Sequence, residues 1–406
     1  MSTRVLKAAA AEKPGLAERL VRRQLASLEH GALTVNGETY GRRSQRCALA
    51  ASVQVHDARF WAEVAFGGSV GAGEAYMLGY WSADDVTAAM RILLCNRDVL
   101  DGMETGFAGL SAPLRKAAHW TARNTRSGSR RNIAAHYDLG NDFFALFLDS
   151  TMTYSSAVFE HPAMTLEEAQ TAKIERICRQ LDLHPDERVL EIGTGWGGFA
   201  LHAAERYGCR VTTTTISKEQ HAAARDRIRA AGLEDRITLL LADYRELEGR
   251  YDKLVCIEMI EAVGHEYLDT FFAKCSTLLE EHGMLLLQAI TIQDQRYDAA
   301  CRSVDFIQKH IFPGGCIPSV AAICGALARA SDFKLFRIED IGPHYATTLA
   351  HWRENLARNA AAARALGLSE TFLRKWEFYF RYCEAGFAER ALGAIQALLV
   401  KPGARP

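Results

Sequence analysis

The stretch Val189-Leu190-Glu191-Ile192-Gly193-Thr194-Gly195-Trp196-Gly197-Gly198-Phe199 decides the fold. Its apolar run reads as a short buried strand, which breaks into glycines and resumes as a helix near Ala200. Glycines at such a point let the chain turn tightly and approach a ligand, and the first N–H groups of the helix face the same spot. That describes a nucleotide-type pocket at the end of a first parallel strand. The spacing Gly-x-Gly-x-x-Gly also belongs to dinucleotide loops. Those require an acidic residue at the end of the next strand, and Val211-Thr212-Thr213-Thr214-Thr215-Ile216-Ser217 offers only hydroxyls.

Working outward, helical and strand patterns alternate. The pattern predicts helix 165–181, strand 188–192, helix 198–207, strand 210–215, helix 218–231, strand 236–240, strand 253–257, helix 266–281 and strand 284–290. This is the signature of an α/β, doubly wound, Rossmann-like sheet. Helices near 301–311, 319–330, 347–365 and 369–398 interrupt it, and are expected to supply a lid, with closing strands around Phe333–Ile338.

The first third has a different texture. Leu16, Leu20, Leu25 and Leu28 alternate with Arg19, Arg22 and Arg23, an amphipathic helix within residues 1–30 that suits either a membrane surface or its own domain. Ala32-Leu33-Thr34-Val35 and residues 48–56 read as strands around an Asn36-Gly37 turn, so this part is a smaller α+β domain. The glycines between Gly67 and Gly79 lack the Lys-Ser/Thr of a phosphate loop and read as a structural turn into a helix. The basic stretch Arg123–Arg131 reads as a linker, which divides the chain into 1–122, 123–131 and 132–406.

Composition narrows the class. With 406 residues and 49% hydrophobic side chains the chain holds two real cores. The ten cysteines show neither Cys-x-x-Cys nor zinc spacing, so neither a disulfide framework nor a metal is expected. No signal peptide or membrane span is read, and the cytoplasm is the expected compartment. Residues 1–131 hold 18 Lys/Arg against 12 Asp/Glu, leaving 30 against 37 for the remainder. A basic N-terminal domain suits an anionic surface, although ordinary surface charge explains it as well.

The run 191–198 resembles the S-adenosylmethionine loop of class I methyltransferases, in particular the cyclopropane fatty acid synthase family. Similar to that family are also Asn132-Ile133-Ala134-Ala135-His136-Tyr137-Asp138, the segment Met152–Ser156, and Thr215–Gln220. So are Ala242–Arg245, Cys256–Tyr267, Gln288–Ile290, Gly342–Leu349 and Asp305–Ser319, the last being the most specific match. The resemblance spans about residues 60–400.

It implies a cofactor, S-adenosylmethionine, held by Tyr154 and Ser155, by Gly193, Gly195, Trp196 and Gly197, by Thr215, Ser217 and Gln220, and by Asp243, Tyr244 and Ile257. Asp243 accepts from the adenine amine in this reading, or else merely caps the next turn. The resemblance also implies a bicarbonate ion held by Glu261, Ile290 and Tyr345, with Ser156 and Gln288 standing where the family carries a cysteine and a histidine. Ala262 replaces a further histidine. Glu258 and Glu261, three apart, are expected to share one face of a helical turn.

The implied reaction is methyl transfer to a cis double bond of a phospholipid acyl chain, followed by proton loss from the new methyl to close a cyclopropane. Tyr345, Phe312 and Trp352 would stabilise the carbocation. Methylation without ring closure and small-molecule methylation are the alternatives. The implied partners are unsaturated phospholipid acyl chains and the inner face of a membrane, approached peripherally, with a homodimer as the assembly and no nucleic acid.

Overall fold

The computed structural model describes residues 14–105 and 140–406. The expected linker 123–131 and the segment Asn132–Asp138 lie outside the described residues.

In the N-terminal part, α1 (Leu16–Leu25) buries Val21 and Leu25 beside a four-stranded sheet of order β2-β1-β3-β4. Its strands are β1 (Ala32–Val35), β2 (Glu38–Tyr40), β3 (Ala50–Val55) and β4 (Trp81–Ala83). Asn36 and Gly37 both have positive φ, 49° and 88°, which is the turn that the β1–β2 hairpin demands. The amphipathic helix packs on its own domain: Arg22 lies 5.0 Å over Trp61 and donates to Glu18 and Tyr40.

The glycine-rich stretch turns into a helix as expected: α2 (Arg59–Met77) is two helical pieces joined at Gly68, whose φ of 60° and ψ of −139° are not helical. The glycines serve close packing: a Cβ on Gly71 would sit 1.9 Å from the Glu63 carbonyl oxygen across the kink, and one on Gly73 would sit 2.4 Å from the Phe306 ring. Two further helices, α3 (Val86–Cys95) and α4 (Arg97–Thr105), complete this part.

The larger sheet has seven strands in the order β10-β11-β9-β8-β5-β6-β7. These are β5 (Arg188–Ile192), β6 (Arg210–Thr215), β7 (Ile237–Leu241), β8 (Tyr251–Ile257), β9 (Leu279–Ile292), β10 (Lys334–Asp340) and β11 (Leu392–Val400). Strands β5 to β9 are parallel, while β11 runs antiparallel between β9 and β10. From β5 the chain winds first toward β7 and then back through β8 to β9, so the carboxyl ends of β5 and β8 flank the point where winding reverses. A doubly wound sheet leaves its ligand crevice there. Helices α5 (Asn141–Ala145), α6 (Leu166–Gln180), α7 (Gly198–Tyr207), α8 (Lys218–Ala230) and α9 (Leu268–Leu278) follow in chain order.

The closing region differs from expectation in two elements, one being the helix expected near 301–311, which is split into Asp294–Cys301 and Phe306–His310. The helix expected over 369–398 ends at Ala388, and Leu392–Val400 is β11. Ala394 to Val400 are all buried between two neighbouring strands, so the period of two that marks a half-exposed strand is absent. The remaining helices are α10 (Asp294–Cys301), α11 (Phe306–His310), α12 (Val320–Ala330), α13 (Gly342–Arg358), α14 (Ala360–Ala365) and α15 (Glu370–Ala388). Helix α15 joins the two parts: Arg374 donates to the carbonyls of Tyr76 (2.6 Å) and Trp81 (3.0 Å) and lies 4.2 Å over the Tyr76 ring. Glu74 accepts from His310 at 2.8 Å on the same seam.

Candidate active site

A cavity of about 1050 Å³ opens at the carboxyl ends of β5 and β8 and continues under the N-terminal part. Ligand pockets commonly reach about 1,000 Å³, so this one has room for a cofactor and part of a second molecule. Its deep end is polar and built on the glycine loop. The opposite end is walled by Val64, Met90, Leu93, Leu100, Phe378 and Tyr382, brought by the N-terminal helices and α15.

The loop after β5 holds three left-handed glycines, Gly193 (φ 105°), Gly195 (53°) and Gly197 (88°). The N–H groups of Gly193 and Thr194 both donate to the Thr214 carbonyl, which pins the loop against β6. Arg227 donates to the Trp196 and Thr151 carbonyls, and Trp196 donates through its indole to Asn141 at 2.7 Å. A Cβ on Gly195 would meet no atom within 4 Å. That glycine leaves open space for a ligand.

Beneath the loop, Glu191 accepts from Thr213 at 2.6 Å, and burial pushes its carboxyl up to about 8 against that bond and the nearby Lys173 charge. Lys173, fully buried on α6, donates to the Ser155 hydroxyl at 2.7 Å, and burial brings its ammonium down to about 8. It lines the cavity and was not singled out from sequence. The signal was present as a lysine on the apolar stripe Ala169, Ile174, Ile177 of an amphipathic helix.

Of the residues expected around a cofactor, Tyr154, Ser155, Gly193, Gly195 and Trp196 line the cavity. So do Thr215, Gln220, Asp243, Tyr244 and Ile257. Gly197 and Ser217 are buried behind the wall, where Ser217 caps α8 by accepting from Gln220 N. Thr215 donates to the Gln220 side-chain oxygen at 3.0 Å, which orients that amide. Asp243 caps the turn Tyr244–Glu246 and accepts from the Arg245 guanidinium at 2.8 and 2.6 Å. It is a cap, as one of the two expectations held, and it also lines the cavity.

The second group forms around Glu258, which the sequence reading paired with Glu261 but did not place at the centre. Glu258 stands just past β8 with φ 49°, a backbone bend that points it inward rather than along a regular helical turn. Its Oε1 accepts from Ser156 N (2.9 Å) and Gln288 Nε2 (2.8 Å), and its Oε2 accepts from the Tyr345 hydroxyl (2.7 Å). Gln288 is held in that orientation because its own oxygen accepts from Gln396 at 3.0 Å, whose oxygen accepts in turn from Arg176. Glu261 accepts from Ile290 N at 2.5 Å through Oε1, while Oε2 is buried with no hydrogen-bond partner. Burial and then the Glu258 charge push Glu261 up to about 8, and burial also raises Glu258. Both carboxyls are thus held toward their protonated forms.

Glu261, Ile290 and Tyr345 line the cavity, whereas Ser156 and Gln288 are fully buried behind Glu258. The Ser156 hydroxyl donates to the Ala157 carbonyl and does not reach the cavity. Bicarbonate therefore does not fit the donors expected for it: Gln288 and Tyr345 are engaged on Glu258, Ile290 on Glu261 and the Ser156 hydroxyl on Ala157. A second anion would also face two carboxyls. Of the aromatic residues, Tyr345 and Phe312 are on the wall, and Trp352 is fully buried 6.1 Å behind Tyr345.

S-adenosylmethionine does fit the deep end, where the open face of Gly195 adjoins Asp243, Tyr244 and the Ser155 hydroxyl. Comparison with known proteins agrees. A family model described as mycolic acid cyclopropane synthetase matches residues 124–397. The tuberculostearic acid methyltransferase UfaA1 of Mycobacterium tuberculosis is 37% identical over 402 residues, 97% of this chain and 93% of that protein. The cyclopropane-fatty-acyl-phospholipid synthase of Escherichia coli K12 is 36% identical over 351 residues, 86% of this chain and 87% of its own. Among solved structures, the mycolic acid cyclopropane synthase CmaA1 complexed with SAH and CTAB superposes with a TM-score of 0.63 at 34% identity. That match covers 67% of this chain and 98% of that one. Glycine loop, cavity and family match converge: the chain belongs to the mycolic acid cyclopropane synthetase family and is an S-adenosylmethionine-dependent methyltransferase.

Proposed function

We propose that this enzyme methylates a cis double bond in an unsaturated phospholipid acyl chain and takes up the released proton on its own glutamates. The observation that carries the reading is the buried Glu258–Glu261 pair, set where a polar cofactor end meets an apolar chamber. When bound, S-adenosylmethionine supplies an electrophilic methyl. The protein's part is to hold the acyl chain among Met90, Leu93 and Phe378, and to present the Tyr345 and Phe312 faces to a developing cation. Glu258 is oriented by three donors and too confined to attack carbon. It is thus suited to accept a proton, with Glu261 sharing it.

Loss of that proton from the new methyl as the ring bond forms gives a cyclopropane. A second reading is an open product, in which the same base removes a proton from the cation without ring closure and leaves a methylene or a methyl-branched alkene. The relative matched over 97% of this chain bears the name of a methyltransferase.

The acyl chain reaches the cavity, on this proposal, from the cytoplasmic face of a membrane against which the N-terminal part docks, in a homodimer. Leu16, Leu78 and Phe66 stay exposed on that part, and no described helix is long and apolar enough to cross a membrane. The test is expression in a host without cyclopropane lipids, fed methyl-deuterated methionine, for wild type and Glu261→Gln. A labelled acyl chain one CH2 heavier, diminished in the variant, is the expected result. Resistance to mild hydrogenation identifies a ring, and uptake of hydrogen a methylene. Absence of labelled lipid refutes the proposal.

A further inference from the structure

Beside the cavity stands a group of side chains that the methyl-transfer reading does not use. Cys301 closes α10, Cys316 follows the Gly314-Gly315 turn, and His265 opens the short helical turn His265–Tyr267 beyond Glu261. The two sulfurs are 3.8 Å apart, and a ring nitrogen of His265 lies within 4.8 Å of both. It is the one such trio found among the described residues.

The distance discriminates between two fates for the cysteines. Around a tetrahedral zinc ion with Zn–S bonds of about 2.3 Å, two thiolate sulfurs stand ~3.8 Å apart, whereas a disulfide requires about 2.05 Å. The observed separation is that of two thiols in S–H···S contact and matches the edge of the zinc tetrahedron, so an ion can enter without moving the sulfurs apart. Two thiolates and an imidazole are a donor set that favours zinc over magnesium or calcium, which take oxygen. Cys301 and Cys316 are half-buried and His265 is exposed, which leaves a path for a metal and a place for a water as fourth ligand.

We propose that His265, Cys301 and Cys316 bind one zinc ion, with water completing the tetrahedron. The ion clamps the Glu261 loop to the segment 301–316. Cys316 N already donates to the Glu261 carbonyl at 2.8 Å, and Ala300, Arg302, Ser303 and Cys316 form cavity wall. Metal at this point fixes the distance between the wall and Glu261. The role is structural, and the ion touches neither cofactor nor acyl chain.

The experiment uses the full chain, reduced, stripped with a chelator and titrated with Co²⁺ and then Zn²⁺. Expected are one Co²⁺ per chain with thiolate-to-cobalt charge-transfer absorption and tetrahedral ligand-field bands, displaced by an equivalent of Zn²⁺. Cys301→Ser and Cys316→Ser lose the charge-transfer absorption while still unfolding cooperatively, and Cys324→Ser, outside the trio, keeps it. The proposal is overturned if the folded protein takes up no stoichiometric cobalt, or if the spectrum survives in both cysteine variants. A Cys301–Cys316 disulfide forming in the presence of excess zinc, without reductant, also overturns it.

Discussion

Replacing Glu258 by Gln separates the chemistry of this site from its architecture. The glutamine oxygen keeps the place of Oε1 and still accepts from Ser156 N and Gln288 Nε2. Its amide group takes the place of Oε2 and donates to the Tyr345 oxygen, which rotates its own hydrogen away. All three contacts survive with neutral partners. Each loses its charge-assisted share, about 1 kcal/mol, and the fold no longer has to bury a carboxyl whose ionisation burial already opposes. These terms oppose one another, so unfolding stability is expected to stay within ~2 kcal/mol of wild type. Turnover loses the proton acceptor, worth about 10²–10⁴-fold for general base catalysis, or roughly 2.7–5.4 kcal/mol of barrier. The assay is methyl transfer from labelled S-adenosylmethionine to unsaturated phospholipid vesicles, with thermal unfolding and S-adenosylhomocysteine affinity measured alongside. Glu258→Asp, which keeps the charge one carbon further back, is expected to recover part of the rate. A Gln variant that turns over at the wild-type rate with intact fold refutes the assignment of Glu258 as proton acceptor.

Two more outcomes follow from the geometry. Glu261 is raised from 4.5 to about 8, first by burial and then by Glu258. Across that window the folded chain keeps a proton that the unfolded chain releases, so this group makes stability fall as pH rises from about 4.5 to about 8. Glu261→Gln should flatten that part of the unfolding-temperature profile, and an unchanged slope would contradict the placement of its unpartnered oxygen. Gly195→Val puts a β-branched residue at φ 53° and a side chain into the cavity. Backbone strain of about 1–2 kcal/mol falls on folding stability, while the side chain occupies ligand space, so calorimetry should show S-adenosylhomocysteine binding at least ~10-fold weaker. Wild-type affinity would place the cofactor elsewhere.

Much of this protein was legible in its residues. The run 189–199 specified a strand, a glycine turn and a helix, because local backbone conformation follows from local sequence. Alternation of helix and strand patterns then implied the doubly wound sheet, and the carboxyl ends of its strands located the crevice. Residues resembling a known family located most of the wall. Gly67–Trp81 was legible as a turn into a helix, which it makes at Gly68, but the close packing of Glu63, Phe306 and Phe378 against its glycines was not. One strand was misread for an identifiable reason. Strand β11 looked helical because burial on both faces removes the alternation that reveals a strand.

Only the tertiary structure decided what each acidic and sulfur-bearing group does. Glu258 and Glu261 are near neighbours in the chain with similar local surroundings, but one collects donors from Ser156, Gln288 and Tyr345 while the other keeps a bare oxygen. His265, Cys301 and Cys316 have no metal spacing along the chain and meet through a turn and two helix ends. The apolar chamber likewise needs the N-terminal helices to close over a sheet formed far along the sequence. Secondary structure is set over a few residues and can be read there. Charge state, donor geometry and cavity shape depend on neighbours that are distant in sequence, so they exist only after the chain has folded.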